Sequence, residues 1–180
     1  MVNLGKNRDM SSMIRVNHAG ESGAVQIYKG QLAILKNPAV RSQIQEMLAH
    51  EEEHLKAFDA LMKEHKARPT VLSPLWHVSA YGLGAITALL GEKAALACTV
   101  AVEEVIDEHY ESQRRHLINQ PEKSQESETL LATITSCQEE EALHKNIALE
   151  LGAEEATGYR LLTKAVRGLT RTAVWLSTRV

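Results

Sequence analysis

The chain has 180 residues, enough to bury roughly two thirds of its unfolded surface in one core, so neither metal nor disulfide is needed merely to fold it. Aromatic residues make up only 4% while Ala, Leu, Glu, Gln and Lys abound, which favours an all-α protein. The formal charge of −3 argues against a nucleic-acid binder, which needs a net basic face to displace counterions from phosphates.

Residues 1–12 carry acid and base together and lack both the apolar run of a signal peptide and the acid-poor length of a transit peptide. They are expected to form a flexible segment before one domain spanning 13–180. Helix 1 is predicted near Ser12 to Lys36, with an apolar stripe stepped by threes and fours through Ile14, His18, Glu21, Val25, Tyr28, Leu32 and Leu35. Helix 2, near Ala39 to Lys66, carries Ile44, Met47, Glu51, His54, Phe58 and Leu61. Two prolines between Arg68 and Pro74 break the chain before helix 3, near Leu75 to Leu90. Helix 4, near Glu92 to Ile118, carries Leu96, Val100, Glu103, Ile106, Tyr110 and Leu117. Helix 5, near Glu126 to Leu151, carries Leu130, Ile134, Cys137, Glu141, His144, Ala148 and Leu151. Helix 6, near Glu154 to Thr178, has a stripe with no acid in it, and its Arg160, Lys164, Arg167, Arg171 and Arg179 read as a solvated face. Cys98 and Cys137 form no CxxC pair and are expected to be buried thiols.

In four of the six helices a glutamate interrupts the face that should enter the core. The order Glu, Glu-x-x-His, Glu, Glu-x-x-His runs through Glu21, Glu51, His54, Glu103, Glu141 and His144. Buried carboxylates are costly unless paired, protonated or bound to a cation. Two divalent metals would neutralise four of them, and Glu-x-x-His sets both side chains on one helical face a turn apart. Chance alone supplies about one Glu-x-x-His among 20 glutamates and eight histidines, so position on apolar stripes, not the motif, carries the weight. The pattern is that of di-iron and di-manganese carboxylate bundles of the ferritin-like fold, in which one long crossover joins two helix pairs. Carboxylate and imidazole without thiolate suit iron or manganese better than structural zinc. Glu140 is a candidate to bond a ligand imidazole from outside, although Glu139 to Glu141 also reads as a solvated run. His109 and Tyr110 lie two turns beyond Glu103 as candidate catalytic residues, although Tyr110 on its stripe also reads as a core aromatic. Asn17 and His18 face the same region, His18 as a satisfied core histidine.

The strings Ile14-Arg-Val-Asn-His-Ala-Gly-Glu21, Ile27-Tyr-Lys-Gly-Gln31, Glu51-Glu-Glu-His54, Arg68-Pro-Thr-Val-Leu-Ser-Pro-Leu-Trp76, Ala88-Leu-Leu-Gly91, Ala97-Cys-Thr-Val-Ala-Val-Glu-Glu104, His109-Tyr110 and Glu140-Glu141-Ala-Leu-His144 resemble the demethoxyubiquinone hydroxylases. The resemblance runs from about Ile14 to the C-terminus. It implies that Glu21, Glu51, His54, Glu103, Glu141 and His144 hold two Fe ions, with Glu51 or Glu141 able to bridge. It also implies insertion of one atom of O2 into the benzoquinol ring of a polyprenyl demethoxyubiquinol, with an external reductant such as NADH and a protein partner from ubiquinone biosynthesis. Asn17 and Ser22 depart from the family's usual Asp and Tyr at those positions. No Gly-x-Gly-x-x-Gly is present, since Gly82-Leu-Gly84 is followed by Thr87 where the third glycine would stand. A ferritin-like ferroxidase or iron-binding protein would share the bare ligand set.

A substrate with a polyprenyl tail lives in the bilayer. The stretch from Pro69 to Gly91 holds no Asp, Glu, Lys or Arg, and its proline, histidine, serine and glycines favour an interfacial helix over a spanning one. The expected place is peripheral, at the cytoplasmic face of a bacterial membrane or the matrix face of the mitochondrial inner membrane.

Overall fold

The computed structural model describes residues 4–179, and over them the chain is helical with no strand. The order is α1 (Leu4–Ile34), α2 (Pro38–Glu64), α3 (Ser73–Leu89), α4 (Glu92–Ile118), α5 (Gln125–Glu150) and α6 (Tyr159–Ser177), with a 3-10 turn at Ala153–Glu155. α1, α2, α4 and α5 make the bundle. Cross-helix pairs tie neighbours together: His18 meets Asp59 and Lys29 meets Glu52, each at 3.0 Å, across α1 and α2, and Gln138 donates to Asp107 at 2.7 Å across α5 and α4. Each is an antiparallel neighbour, as short connections require. α3 is the crossover. It runs parallel to α1 and returns the chain to the end of the bundle from which α4 can start.

Local chemistry sets the helix ends. Asn37 Oδ1 accepts from Ala39 N at 3.0 Å and Pro38 occupies the first turn of α2, satisfying one donor where another is missing by construction. At α5, Ser124 and Ser127 exchange backbone and hydroxyl bonds of 3.2 and 3.0 Å in a capping box. The sixth helix starts at Tyr159 rather than near Glu154 because extended Ala156 ends the 3-10 turn and Gly158, at φ 71°, makes the left-handed turn into the helix. At the other end, α1 begins at Leu4, so the expected boundary at residue 12 falls inside a helix. Met10 and Met13 pack on the core and Asp9 meets His116 of α4 at 2.8 Å. Residues 1–3 and 180 lie outside the described residues.

α3 lies unusually close to α1. A Cβ on Gly84 would stand 2.0 Å from the Ile27 carbonyl oxygen, and one on Gly30 would stand 2.2 Å from that of Tyr81, so only glycine fits either contact. α6 runs along α4, tied by Arg167 to Glu104 and by Arg171 to Glu108 at 2.8 Å.

The core falls into two apolar clusters along the bundle axis. One gathers Ile14, Phe58, Leu61, Tyr110, Leu130 and Ile134, the other Tyr28, Ile44, Met47, Leu96, Val100 and Ala148. Between them, on all four bundle helices, lies a layer of buried acids and histidines.

Candidate metal centre

That layer consists of the six residues picked out by the stripes. Glu21, Glu51, His54, Glu103, Glu141 and His144 are all at most 5% exposed. Their ligand atoms form two overlapping groups, Glu21, Glu51, His54 and Glu141 in one and Glu51, Glu103, Glu141 and His144 in the other. Within each group the atoms lie within 4.8 Å of one another. Glu51 and Glu141 belong to both, so one carboxylate from α2 and one from α5 are shared by the two groups.

Several of these atoms have no hydrogen-bond partner: Glu21 Oε2, both Glu51 oxygens, His54 Nδ1, Glu141 Oε2 and His144 Nδ1. The imidazole nitrogens do approach carboxylate oxygens, His54 Nδ1 at 3.3 Å from Glu21 and His144 Nδ1 at 3.1 Å from Glu51, but not in hydrogen-bond geometry. Six converging polar atoms on five side chains, none with a hydrogen-bond partner, are what a cation pair satisfies. Hard oxygen donors with two imidazoles suit iron or manganese.

The electrostatics show the cost of the layer by itself. Burial raises the carboxyls of Glu51 and Glu103 well above the usual range, and repulsion from Glu141 adds to it. Burial also opposes ionisation of Glu141, but the close approach of His144, His54 and Glu103 outweighs it and holds that carboxyl at about 2. Burial pushes His54 down, yet the nearby Cys137, Glu141 and Glu21 reverse this and raise it above its ordinary value. A cation entering the layer therefore competes with protons for Glu51, Glu103 and His54. Adding ferrous iron anaerobically to the apoprotein in weak buffer should release protons, and apparent affinity should rise from about pH 6 to about pH 8. Uptake with no acidification and a flat affinity would mean that the metal binds elsewhere.

Further residues close the layer. Tyr110 is fully buried, donates its hydroxyl to Glu21 Oε1 and stacks on Phe58 with centroids 6.3 Å apart. Tyr28 donates to Glu103 Oε1 at 2.5 Å; its place on an apolar stripe gave no sign of this bond. Glu140 Oε2 lies 3.1 Å from His54 Nε2, outside the cage. His50, which the stripe pattern did not single out, places Nδ1 3.1 Å from His144 Nε2. His109 does not join the cage: its Nε2 meets Gln113 at 2.8 Å, and Gln113 pairs with Asn17 through bonds of 2.8 and 2.9 Å. His18 turns to the α1–α2 seam, 3.0 Å from Asp59, and Ser22 meets His77 of α3 at 2.5 Å.

A cavity of about 260 Å³ adjoins this layer. Gly20 and Ala24, either side of Glu21, and Val102 and Ile106, either side of Glu103, line it together with residues of α3 and α6 such as Leu83 and Ala173. The lining extends to exposed Ser79 and Thr172, so the cavity reaches the surface between α3 and α6. Along its length α3 leaves Leu75, Val78, Ile86 and Leu89 more than half exposed, an apolar stripe at helical spacing. Among the described residues no helix is long and apolar enough to cross a membrane.

Comparison with known proteins agrees over nearly the whole chain. The family model described as Ubiquinone biosynthesis protein COQ7 matches residues 8–177. A protein of Rhodospirillum rubrum named 3-demethoxyubiquinol 3-hydroxylase is 46% identical over 168 residues, covering 93% of this chain and 76% of its own length. The Homo sapiens mitochondrial NADPH-dependent 3-demethoxyubiquinone 3-hydroxylase is 47% identical over 169 residues, covering 93% and 76%. The Saccharomyces cerevisiae mitochondrial 5-demethoxyubiquinone hydroxylase is 34% identical over 182 residues, covering 95% and 78%.

Proposed function

Because the chain belongs to the COQ7 family of ubiquinone biosynthesis, we propose that it hydroxylates the benzoquinol ring of a demethoxyubiquinol, using O2 and two iron ions held by Glu21, Glu51, His54, Glu103, Glu141 and His144. The observation that carries this reading is one juxtaposition: two overlapping ligand groups next to an apolar cavity that reaches the surface beside an uncharged helix. A ferroxidase needs the first and has no use for the second.

Bound iron would activate O2 and supply the oxidising chemistry, while the chain supplies position and a dry wall. Glu51 and Glu141 would hold the two cations at a shared spacing, with Glu21 and His54 completing one side and Glu103 and His144 the other. Tyr110 and Tyr28 would fix the end carboxylates, Glu21 and Glu103, each through one hydroxyl bond. Tyr110 is also our candidate for moving protons or electrons to the cage, whereas His109 would act only through Gln113. Val102 and Ile106 would hold the ring and exclude water. The polyprenyl tail would leave between α3 and α6 into lipid, which makes the protein peripheral at a membrane, resting on Leu75, Val78, Ile86 and Leu89. Electrons would arrive from an external reductant of the nicotinamide class. A protein partner of the same pathway would bring the quinol.

Extraction of protein purified with mild detergent tests the substrate class. A polyprenyl benzoquinone should be recovered in amounts comparable to the protein, and washed protein should take up the short-tailed compound. Iron-loaded protein that carries no quinone and takes none up would favour the ferroxidase.

A further inference from the structure

The two halves of the cage are alike at their end carboxylates and differ behind the imidazoles. Each end carboxylate receives a buried tyrosine hydroxyl, Glu21 from Tyr110 and Glu103 from Tyr28. Each histidine turns Nδ1 towards the carboxylates and Nε2 outwards. Behind His54, the group on Nε2 is the Glu140 carboxylate at 3.1 Å. Behind His144 it is His50 Nδ1, at 3.1 Å, with the two rings inclined by only 16°. Glu140 lies 3.8 Å from that His50 nitrogen, beyond hydrogen-bond reach.

An imidazole that gives Nδ1 to a cation carries its proton on Nε2, and whatever accepts that proton fixes the ring and sets its basicity. For His54 the acceptor is a carboxylate and for His144 it is a second imidazole. His50 must then present the lone pair of Nδ1 and keep its own proton on Nε2. Its ring borders a cleft of about 20 Å³ that His144 also lines, together with Gln43, Glu46 and Met47.

We propose that His50 is a positioning residue for His144, and that a carboxylate behind one imidazole and a histidine behind the other make the two metal positions unequal, the His54 position filling first. This rests on the reading of the six residues as metal ligands. A charged acceptor makes the stronger hydrogen bond and the more basic ligand, whereas the tyrosine bonds to the end carboxylates are alike in the two halves.

The test is an anaerobic titration of the apoprotein with Co2+, following visible absorption and heat. The wild type should fill in two resolvable steps. His50→Ala should weaken the second step by roughly 10- to 100-fold and leave the first within about threefold, with a change in the absorption of the second cobalt only. His50→Gln, whose amide oxygen can still accept from His144, should restore most of the loss. Glu140→Gln should weaken the first step instead. Two cobalts bound with His50→Ala changing neither step, or both alike, would overturn the inference while leaving the ligand set intact, as would a His50→Gln no better than alanine. Wild-type protein that binds no cobalt would remove the ligand reading and this inference together.

Discussion

Replacing Glu141 by alanine is expected to empty the cage of both irons, whereas replacing Glu21 or Glu103 should leave about one per chain. Glu141 belongs to both ligand groups and the other two belong to one each. Its loss removes a donor from each cation and leaves the imidazoles of His54 and His144 short of an anion that both approach. In the apoprotein it is the carboxyl held ionised, at about 2, by His144, His54 and Glu103. Removing one partner from a buried ion pair costs about 3–5 kcal/mol, so the apo variant should also melt lower. A depressed carboxyl contributes its stability above its unfolded value of 4.5 and loses it as pH falls towards about 2, so the melting difference should shrink on acidification over that window. Metal analysis of the purified variants, with melting curves at two pH values, checks both parts. Near-full iron in the Glu141→Ala protein would remove the proposed centre.

The second large effect is expected at Gly23. It lines the cavity, and a Cβ added there would have no atom within 4 Å. A phenylalanine can therefore enter the cavity without backbone displacement and takes the volume proposed for the quinol ring. Gly23→Phe should lower quinol turnover by about 100-fold or more through lost positioning, while Gly23→Ala leaves it near wild type. Iron content should be unchanged in both, because the ligand helices are not displaced, and helix propensity should rise slightly. Turnover that survives the phenylalanine would mean that the ring approaches from another side.

Much of the cage is readable in the residues alone because the bundle obeys a simple period. A glutamate on an apolar stripe of threes and fours has to face the core, and four such stripes account for all six cage residues. The same rule hides their supports. Tyr28 sits on its stripe like any core aromatic, and nothing in the spacing shows that its hydroxyl meets Glu103 rather than a backbone carbonyl. His50 precedes Glu51 by one residue, about 100° around the helix, so it falls off the stripe and only the approach of α5 brings it to His144. His109 and Tyr110 differ by the same rotation. Only one of them can face the cage, and packing against Phe58 gives that place to Tyr110.

The ends of the chain depend on tertiary contacts. The first helix continues back to Leu4 where Met10, Met13 and Asp9 find partners, although the sequence there has no strong periodicity. The late start of α6 follows from extended Ala156 and left-handed Gly158, which interrupt a segment otherwise rich in helix formers. The parallel run of α3 on α1 rests on Gly30 and Gly84, and a single glycine in a helical pattern does not name the neighbour it admits.

The most direct measurement is a single reaction of the reduced, iron-loaded protein with a short-tailed demethoxyubiquinol under 18O2, followed by mass analysis of the quinone. The expected product has gained one oxygen and carries one 18O, with none incorporated when the label is in water, and Glu103→Ala gives none of it. Iron that oxidises rapidly while the ring gains no label from 18O2 would contradict hydroxylation and leave a ferroxidase in its place.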